Sequence, residues 1–328
     1  MILAGDIGGT KTVLALYREG DPIGAPVRQE RYPSQDYPGL EPILERFLDG
    51  LETRPAFAAF GIAGPVLGRT VRTTNLPWSI DAIELEQRFG FRRVDLLNDL
   101  QSMAGAVPFL APDERVVLHA GIDDPEGPIA VVAPGTGLGV AFLVREAGGY
   151  RAFPTEGGHM SFGPCTSREA ELLAFLRERF GHVSYERIAS GSGLPNIYDF
   201  LVAAGHRPPD WLAEALRAAS DPTPVIVDAA LSGRSELCSE VLDLFVSVLG
   251  GAVGSIALLV LSSGGICLGG GIPPRILDRL RQPDFLEAIH AKGRSRPLLE
   301  RMPVFVMLDA SAALHGAAWH ARASARRG

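Results

Sequence analysis

Near its start the chain sets an Asp and a glycine turn between two apolar runs, Leu3-Ala4-Gly5-Asp6-Ile7-Gly8-Gly9-Thr10-Lys11 and then Thr12-Val13-Leu14-Ala15-Leu16-Tyr17. Apolar runs on both sides of a tight turn predict a β-hairpin. Glycine allows positive φ at the turn, so successive backbone N–H groups can converge on one concavity that holds phosphate. Thr10 and Lys11 add donors, and Asp6 can hold a hydrated Mg²⁺. The design returns over residues 129–144, where Val131-Val132-Ala133-Pro134 meets Gly135-Thr136-Gly137-Leu138-Gly139 and a second apolar strand comes after. Two such hairpins, far apart in sequence, predict an internal duplication with one hairpin per half and a nucleotide tail clasped between them.

Two better-known phosphate loops are excluded by the segment after each turn. A Walker loop opens a helix and needs a second glycine where Thr10 stands. A dinucleotide loop reads Gly-x-Gly-x-x-Gly into a helix, whereas here Gly-x-Gly-x-Gly runs into a strand. A third cluster, Ile266-Cys267-Leu268-Gly269-Gly270-Gly271-Ile272-Pro273-Pro274, has a different form. A strand runs into glycines and then into a helix whose first turn carries proline, where a missing N–H costs nothing. Gly269 and Gly270 at such a crossing leave room for the α-phosphate and adenosine of a nucleotide.

The 328 residues carry a formal net charge of -7, which argues against nucleic acid or an anionic membrane as partner. Binding of an anionic nucleotide then rests on local N–H groups, Lys11 and a metal. Cys165, Cys238 and Cys267 lie far apart without a Cys-x-x-Cys pair, so neither a zinc site nor a disulfide framework is expected, and a cytoplasmic location fits. No charged residue occurs between Asp243 and Arg275, but glycines and serines at 250–265 divide that run into a buried helix ending near Leu261 and a strand over 266–268. Asp6 interrupts any signal-peptide core, so no secretory leader is expected.

The coarse pattern is α/β in both halves. The first shows helices near 40–51 and 80–89 and strands over 56–62 and 94–97, and residues 108–113 read as a hinge. Thr166-x-x-Glu169 is a capping box opening a helix to Phe180. A strand over 304–308 and a helix over 311–321 end the pattern and pack back on the first half, with the basic stretch from Arg322 to Gly328 as a frayed helix end. The expected organisation is a small α/β domain of 1–109 plus about 303–328, and a large α/β domain of 110–302.

Polar residues at strand ends supply an acceptor site. Asp99 comes directly after the apolar strand Leu96-Leu97 and Asn98. An aspartate there can take the proton of a hydroxyl that attacks a γ-phosphate, while Asn98 or Asp99 can also cap the next helix. Glu156-Gly157-Gly158-His159 joins a carboxylate and an imidazole on a glycine bend, and Glu186 comes after the next helix. Acidic groups accept from adjacent sugar hydroxyls, and His159 can both donate and accept.

In this combination and order the motifs resemble those of the bacterial glucokinases, within the superfamily of hexokinases, actin and the heat-shock chaperones. The Asp6–Thr12 hairpin resembles the first phosphate motif, Gly135–Gly139 the second, and Gly269–Ile272 the adenosine motif. Leu97-Asn98-Asp99, Glu156–His159 and Glu186-Arg187-x-x-Ser190-Gly191-x-Gly193-Leu194 resemble the sugar-site signatures. The resemblance implies two actin-like (ribonuclease H-like) domains with a duplicated core and a cleft that closes on the sugar. It further implies ATP-dependent phosphorylation of glucose in glycolysis, Asp99 as catalytic base, and Asn98, Glu156, His159 and Glu186 as glucose ligands. Asp6, Gly8, Gly9, Thr10, Lys11, Gly135, Thr136, Gly137, Gly269 and Gly270 then serve ATP and Mg²⁺, and a homodimer is common. Related kinases carry a cysteine-rich zinc loop after the Glu-x-Gly-His motif, where this chain has only Cys165. The alternatives are a kinase for another hexose or an amino sugar, and a non-catalytic sugar-sensing regulator, which would need a helix-turn-helix ahead of the first hairpin.

Overall fold

The computed structural model describes residues 1–147 and 149–327. The chain forms two compact units, one of Met1–Ala111, Glu146–Pro154 and the segment from Asp309 on, the other of Pro112–Arg145 and Thr155–Leu308. In the first unit the strands are β1 (Ile2–Ile7), β2 (Lys11–Tyr17), β3 (Arg28–Pro33), β4 (Phe57–Ile62), the short β5 (Val66–Leu67), β6 (Thr70–Arg72) and β7 (Ser79–Asp81), and β8 (Arg93–Asn98). The main sheet has the order β3-β2-β1-β4-β8, and β5, β6 and β7 form a small sheet of their own. The remaining strands are β9 (Arg115–His119), β10 (Ile129–Pro134), β11 (Leu138–Glu146), β12 (Gly149–Thr155), β13 (Gly265–Leu268) and β14 (Val304–Met307), in the order β12-β11-β10-β13-β14-β9. With β9 set aside the two orders coincide: an antiparallel hairpin with a third strand outside it, then two strands parallel to the hairpin's first. The duplication expected from the two glycine turns is thus present in the topology, and the fold class is α/β as expected.

Side chains alternate across β1, so each of its faces must be covered. Leu3, with Leu14, Leu16, Phe60 and Ile62, packs against Ile43, Leu44 and Phe47 of the helix Leu40–Leu48. Ile2 and Ala4, with Ala15, Tyr17, Ala59 and Leu97, pack against Leu314, Ala317, Ala318 and Ala321 of the helix Ala312–Arg327. The register pairs Ile7 with Ile62 and Ile62 with Asn98, so the first glycine turn and the end of β8 lie level at one edge of the sheet. Carboxyl ends of parallel strands are where open α/β sheets bind ligands.

Four expectations change in detail. Ile80 lies in β7, and the helix starts at Ala82, because Asp81 caps it through Ile83 N at 2.7 Å and Glu84 N at 3.2 Å. The strand Val304–Met307 belongs to the second sheet, between β13 and β9, and the chain joins the first unit only from Asp309. The terminal helix runs to Arg327 rather than fraying: Arg322 is buried and donates to Asp21 O and Arg18 O, and Ser324 Oγ donates to Asp95 Oδ2 at 2.7 Å. Gly328 lies outside the described residues. In the capping box, Thr166 accepts from Glu169 N, but the Glu169 carboxylate takes Cys165 N and Ser247 Oγ, a buried variation on the motif.

The helix Glu236–Val260 is long and apolar enough to cross a membrane by length and composition, yet most of it is buried inside the second unit. Leu261 ends it at φ 51°.

The terminal helix crosses the helix Asp99–Ala106 at close range, and a Cβ on Gly316 would lie 1.7 Å from Ser102 O. Gly316→Ala is therefore expected to destabilise the protein. The overpacking cost, at the upper end of about 1–3 kcal/mol because the obstacle is backbone, exceeds the ~1 kcal/mol gained in helix propensity. Thermal denaturation checks this, and a raised Tm would refute it.

In the second unit His290 is buried, its Nε2 has no hydrogen-bond partner among the described residues, and the His119 ring meets it edge-on at 5.5 Å. Burial, with the nearby His119 adding to it, pushes the imidazole below its usual 6.5. The unfolded chain then takes up the proton first, so stability is full above about 6.5 and is lost as pH falls below it. A Tm series from pH 7.5 to 5.5 should fall less steeply in His290→Asn than in the parent; equal slopes would exclude the effect.

Candidate active site

The first unit carries a turn and a carboxylate. Between β1 and β2, Gly8 N donates to Lys11 O at 2.9 Å and closes the hairpin. Ser34 fastens it: its N donates to Thr10 O at 3.1 Å, its Oγ donates to Gly8 O at 2.8 Å, and Thr12 Oγ1 lies 3.0 Å from that Oγ. Asn75 packs beneath Gly9, and Ala63 and Thr73 lie beside the turn. Sequence reasoning misses both Ser34 and Asn75, since the groups they contact lie many residues away.

At the level end of β8, Asn98 caps the helix Asp99–Ala106, its Oδ1 accepting from Leu100 N at 3.0 Å and Gln101 N at 3.3 Å. The amide also donates to Gly64 O at 3.3 Å, which leaves one N–H of Nδ2 for a ligand. The division of labour left open by the sequence is therefore settled for the cap. Asp99 is the first helical residue, half-buried, with Oδ1 accepting from Leu100 N at 2.8 Å. Asp6 feels it: burial pushes the Asp6 carboxyl above the ordinary carboxylate range, Lys11 opposes that rise and the Asp99 charge adds to it. A buried carboxyl beside a second acid is a setting that an added cation would relieve. The fit to a water-mediated Mg²⁺ on Asp6 rests on that pairing.

The second unit brings together Glu156, His159 and Glu186. His159 Nε2 lies 3.8 Å from Glu156 Oε2, and His159 Nδ1 lies 3.8 Å from Glu186 Oε1. Their loops are sewn together by Phe162 N to Val183 O at 2.9 Å and Tyr185 N to Met160 O at 3.0 Å. His159 and Glu156 are exposed and Glu186 is half-buried, so the cluster presents two carboxylates and an imidazole to solvent.

The same cluster is tied to the second turn. Glu186 Oε2 accepts from Leu138 N at 2.9 Å, Gly191 N donates to Gly135 O at 2.7 Å, and Ser192 N donates to Thr136 O at 3.1 Å. A Cβ on Gly137 would lie 2.5 Å from Glu186 Oε2. Positive φ, expected at the turns, is found at none of Gly8, Gly9, Gly135 and Gly137. Glycine at 137 serves close approach instead. The third cluster does use the left-handed region: Gly270 has φ 80°, and a Cβ there would meet Pro134 O at 2.6 Å. Gly269 N donates to Val132 O at 2.9 Å, so these glycines lie against the second hairpin. The helix after them is a single turn, Ile272–Arg275.

Cys238 and Cys267 are buried and Cys165 is exposed. Among the described residues no group of three His, Cys, Asp or Glu is assembled to hold a metal ion.

Comparison with known proteins bears on this geometry. The family profile described as Glucokinase matches residues 3–324. A glucokinase of Nostoc punctiforme is 39% identical over 97% of this chain and 98% of its own length. A glucokinase of Psychromonas ingrahamii is 38% identical over 98% and 97%. Among solved structures, a glucokinase from an Antarctic psychrotroph superposes with a TM-score of 0.86 at 32% identity, covering 98% of both chains. A ROK family glucokinase from Streptomyces griseus, solved with glucose and AMPPNP, shares the fold at a TM-score of 0.61 and 22% identity, covering 100% of this chain and 99% of its own.

Proposed function

The chain belongs to the glucokinase family and is a sugar kinase that phosphorylates glucose, and on that premise we propose that ATP is the donor and Asp99 the general base. The observation that carries this reading is the placement of Asp99. It stands at the start of a helix, at the carboxyl end of β8, in register with the first phosphate turn and close enough to Asp6 to raise its pKa.

Each group then has a task. Asp99 accepts the proton of the glucose 6-hydroxyl as that oxygen attacks the γ-phosphorus; the bond from the γ-phosphorus to its bridging oxygen breaks, and ADP leaves glucose 6-phosphate. Asn98, Glu156, His159 and Glu186 bind the sugar hydroxyls, the carboxylates as acceptors and the Asn98 amide as donor. Gly9, Thr10 and Lys11 in one turn, with Thr136 and Gly137 in the other, bind the nucleotide phosphates through backbone N–H groups, the Thr hydroxyls and the lysine charge, while Gly8 N and Gly135 N close the two turns onto Lys11 O and Gly137 O. Gly269 and Gly270 leave room for the α-phosphate and adenosine. Mg²⁺, held through water by Asp6, would neutralise charge on the β- and γ-phosphate oxygens. The AMPPNP complex of the Streptomyces griseus relative supports a nucleoside triphosphate as co-substrate. The reading extends to a cytoplasmic homodimer in glycolysis, and the free buried thiols of Cys238 and Cys267 fit a reducing compartment.

The test is product detection across a hexose panel with ATP, ADP and polyphosphate as donors. Glucose with ATP is expected to give the highest kcat/KM. A higher value for an amino sugar or another hexose would move the substrate assignment, because epimers differ by the direction of one hydroxyl.

A further inference from the structure

The segment 186–193 touches two ligand sites of the functional reading at once, and this inference rests on that reading. At one end Glu186 stands in the sugar cluster, with Oε1 facing His159 and Oε2 holding Leu138 N of the second phosphate hairpin. At the other end Gly191 N and Ser192 N are bonded to Gly135 O and Thr136 O, the carbonyls of the turn itself. Between the ends, buried Ser190 keeps the segment curled: its Oγ donates to Glu186 O at 2.6 Å and accepts from Gly193 N at 3.1 Å. From outside, Thr223 Oγ1, in the first turn of the helix Pro222–Leu231, donates to Gly191 O at 2.8 Å.

We infer that Ser190 and Thr223 are positioning residues, and that the segment 186–193 is a strap through which sugar and nucleotide binding are energetically coupled. Neither hydroxyl needs to touch a ligand. A sugar hydroxyl that donates to Glu186 fixes its carboxylate, and the fixed carboxylate fixes Leu138 N and the turn carbonyls whose neighbouring N–H groups face phosphate. The strap has a short, fully bonded path between the sites, so the coupling lies within the second unit. Coupling of this kind is reciprocal: whatever factor glucose applies to nucleotide affinity, nucleotide must apply to glucose affinity.

The experiment is calorimetric titration of AMPPNP with and without saturating glucose, and of glucose with and without saturating AMPPNP, on the full chain with Mg²⁺ present. In the parent, glucose is expected to tighten AMPPNP at least about fivefold, with the same factor in the reciprocal titration. Thr223→Val, which keeps the shape of the side chain and removes only the donor, is expected to cut that factor by up to about fivefold, the worth of one neutral hydrogen bond. Binding of AMPPNP without glucose should change by less than about twofold, and Thr223→Ser should restore the coupling. Ser190→Ala is expected to lower the factor further, with KM for ATP rising at saturating glucose. A Thr223 defect that only loosened the fold would lower Tm and weaken both ligands without altering the ratio. Independent binding in a parent that still phosphorylates glucose with ATP, or an unchanged factor in both variants, would overturn the strap. A parent that does not phosphorylate glucose with ATP would overturn the functional reading, and the strap with it.

Discussion

Asp99→Asn is expected to lower kcat by about 10²–10⁴-fold while glucose still binds, because the amide cannot accept the proton of the attacking hydroxyl. The substitution suits the site sterically, and the helix cap is supplied by Asn98 and so remains. Loss of the Asp99 charge should also let the Asp6 carboxyl fall back toward its ordinary range, since that charge contributes to its rise. Fold retention is checked by Tm, binding by calorimetry with glucose, and chemistry by single-turnover phosphoryl transfer. A variant that keeps more than about a tenth of the parent kcat would remove Asp99 from the role of base.

Chelation of Mg²⁺ with EDTA is expected to reduce turnover by at least about 10²-fold, and excess Mg²⁺ to restore it. The reason lies at the first turn, where burial and the Asp99 charge raise the Asp6 carboxyl and a triphosphate would bring several more negative charges beside it. Asp6→Asn should keep the hairpin, whose closure is backbone and Ser34, yet raise the Mg²⁺ concentration needed for half-maximal rate. A zinc-selective chelator with Mg²⁺ in excess should leave the rate unchanged, since Cys238 and Cys267 are buried and Cys165 has Lys292 Nζ as a neighbour at 4.0 Å. Activity that survives EDTA, or that a zinc chelator removes, would overturn this assignment.

Sequence and structure part company where contact distance outweighs local pattern. The two glycine hairpins are legible because apolar runs and turns are local features, and their repetition carries the duplicated topology with them. Strand β3 is not legible: in Arg28–Pro33 only Tyr32 is buried, and a polar edge strand has no apolar run to betray it. The glycines of the turns suggest positive φ, but Gly137 is small because a carboxylate lies over it. That carboxylate belongs to Glu186, far along the chain and beyond any windowed reading. Glu156, His159 and Glu186 are each visible as polar residues on bends, whereas Ser34 and Thr223 look like ordinary loop residues, and Ser190 shows only as part of a signature, until the carbonyls their hydroxyls grip are known. The extension of the last helix to Arg327 is hidden for a similar reason, as Arg322 looks like a solvated end until it is seen donating to the carbonyls of Arg18 and Asp21.

The packing of the helix Ala312–Arg327 on β1 has a consequence for how the protein is made. A ribosome delivers residues 1–111 before the second unit, and with them the strands β1 to β8 and the residues Asp6, Lys11 and Asp99. The face formed by Ile2, Ala4, Ala15, Tyr17, Ala59 and Leu97 nevertheless waits for Leu314, Ala317, Ala318 and Ala321, which are translated only after the second unit. At about 5–20 residues per second, that surface stays uncovered for roughly ten seconds or more while the whole second unit is translated. The first unit is therefore begun before the second and completed after it, and a nascent chain stalled ahead of residue 312 would hold Asp99 on a sheet with one apolar side open to chaperones and to its neighbours on the polysome.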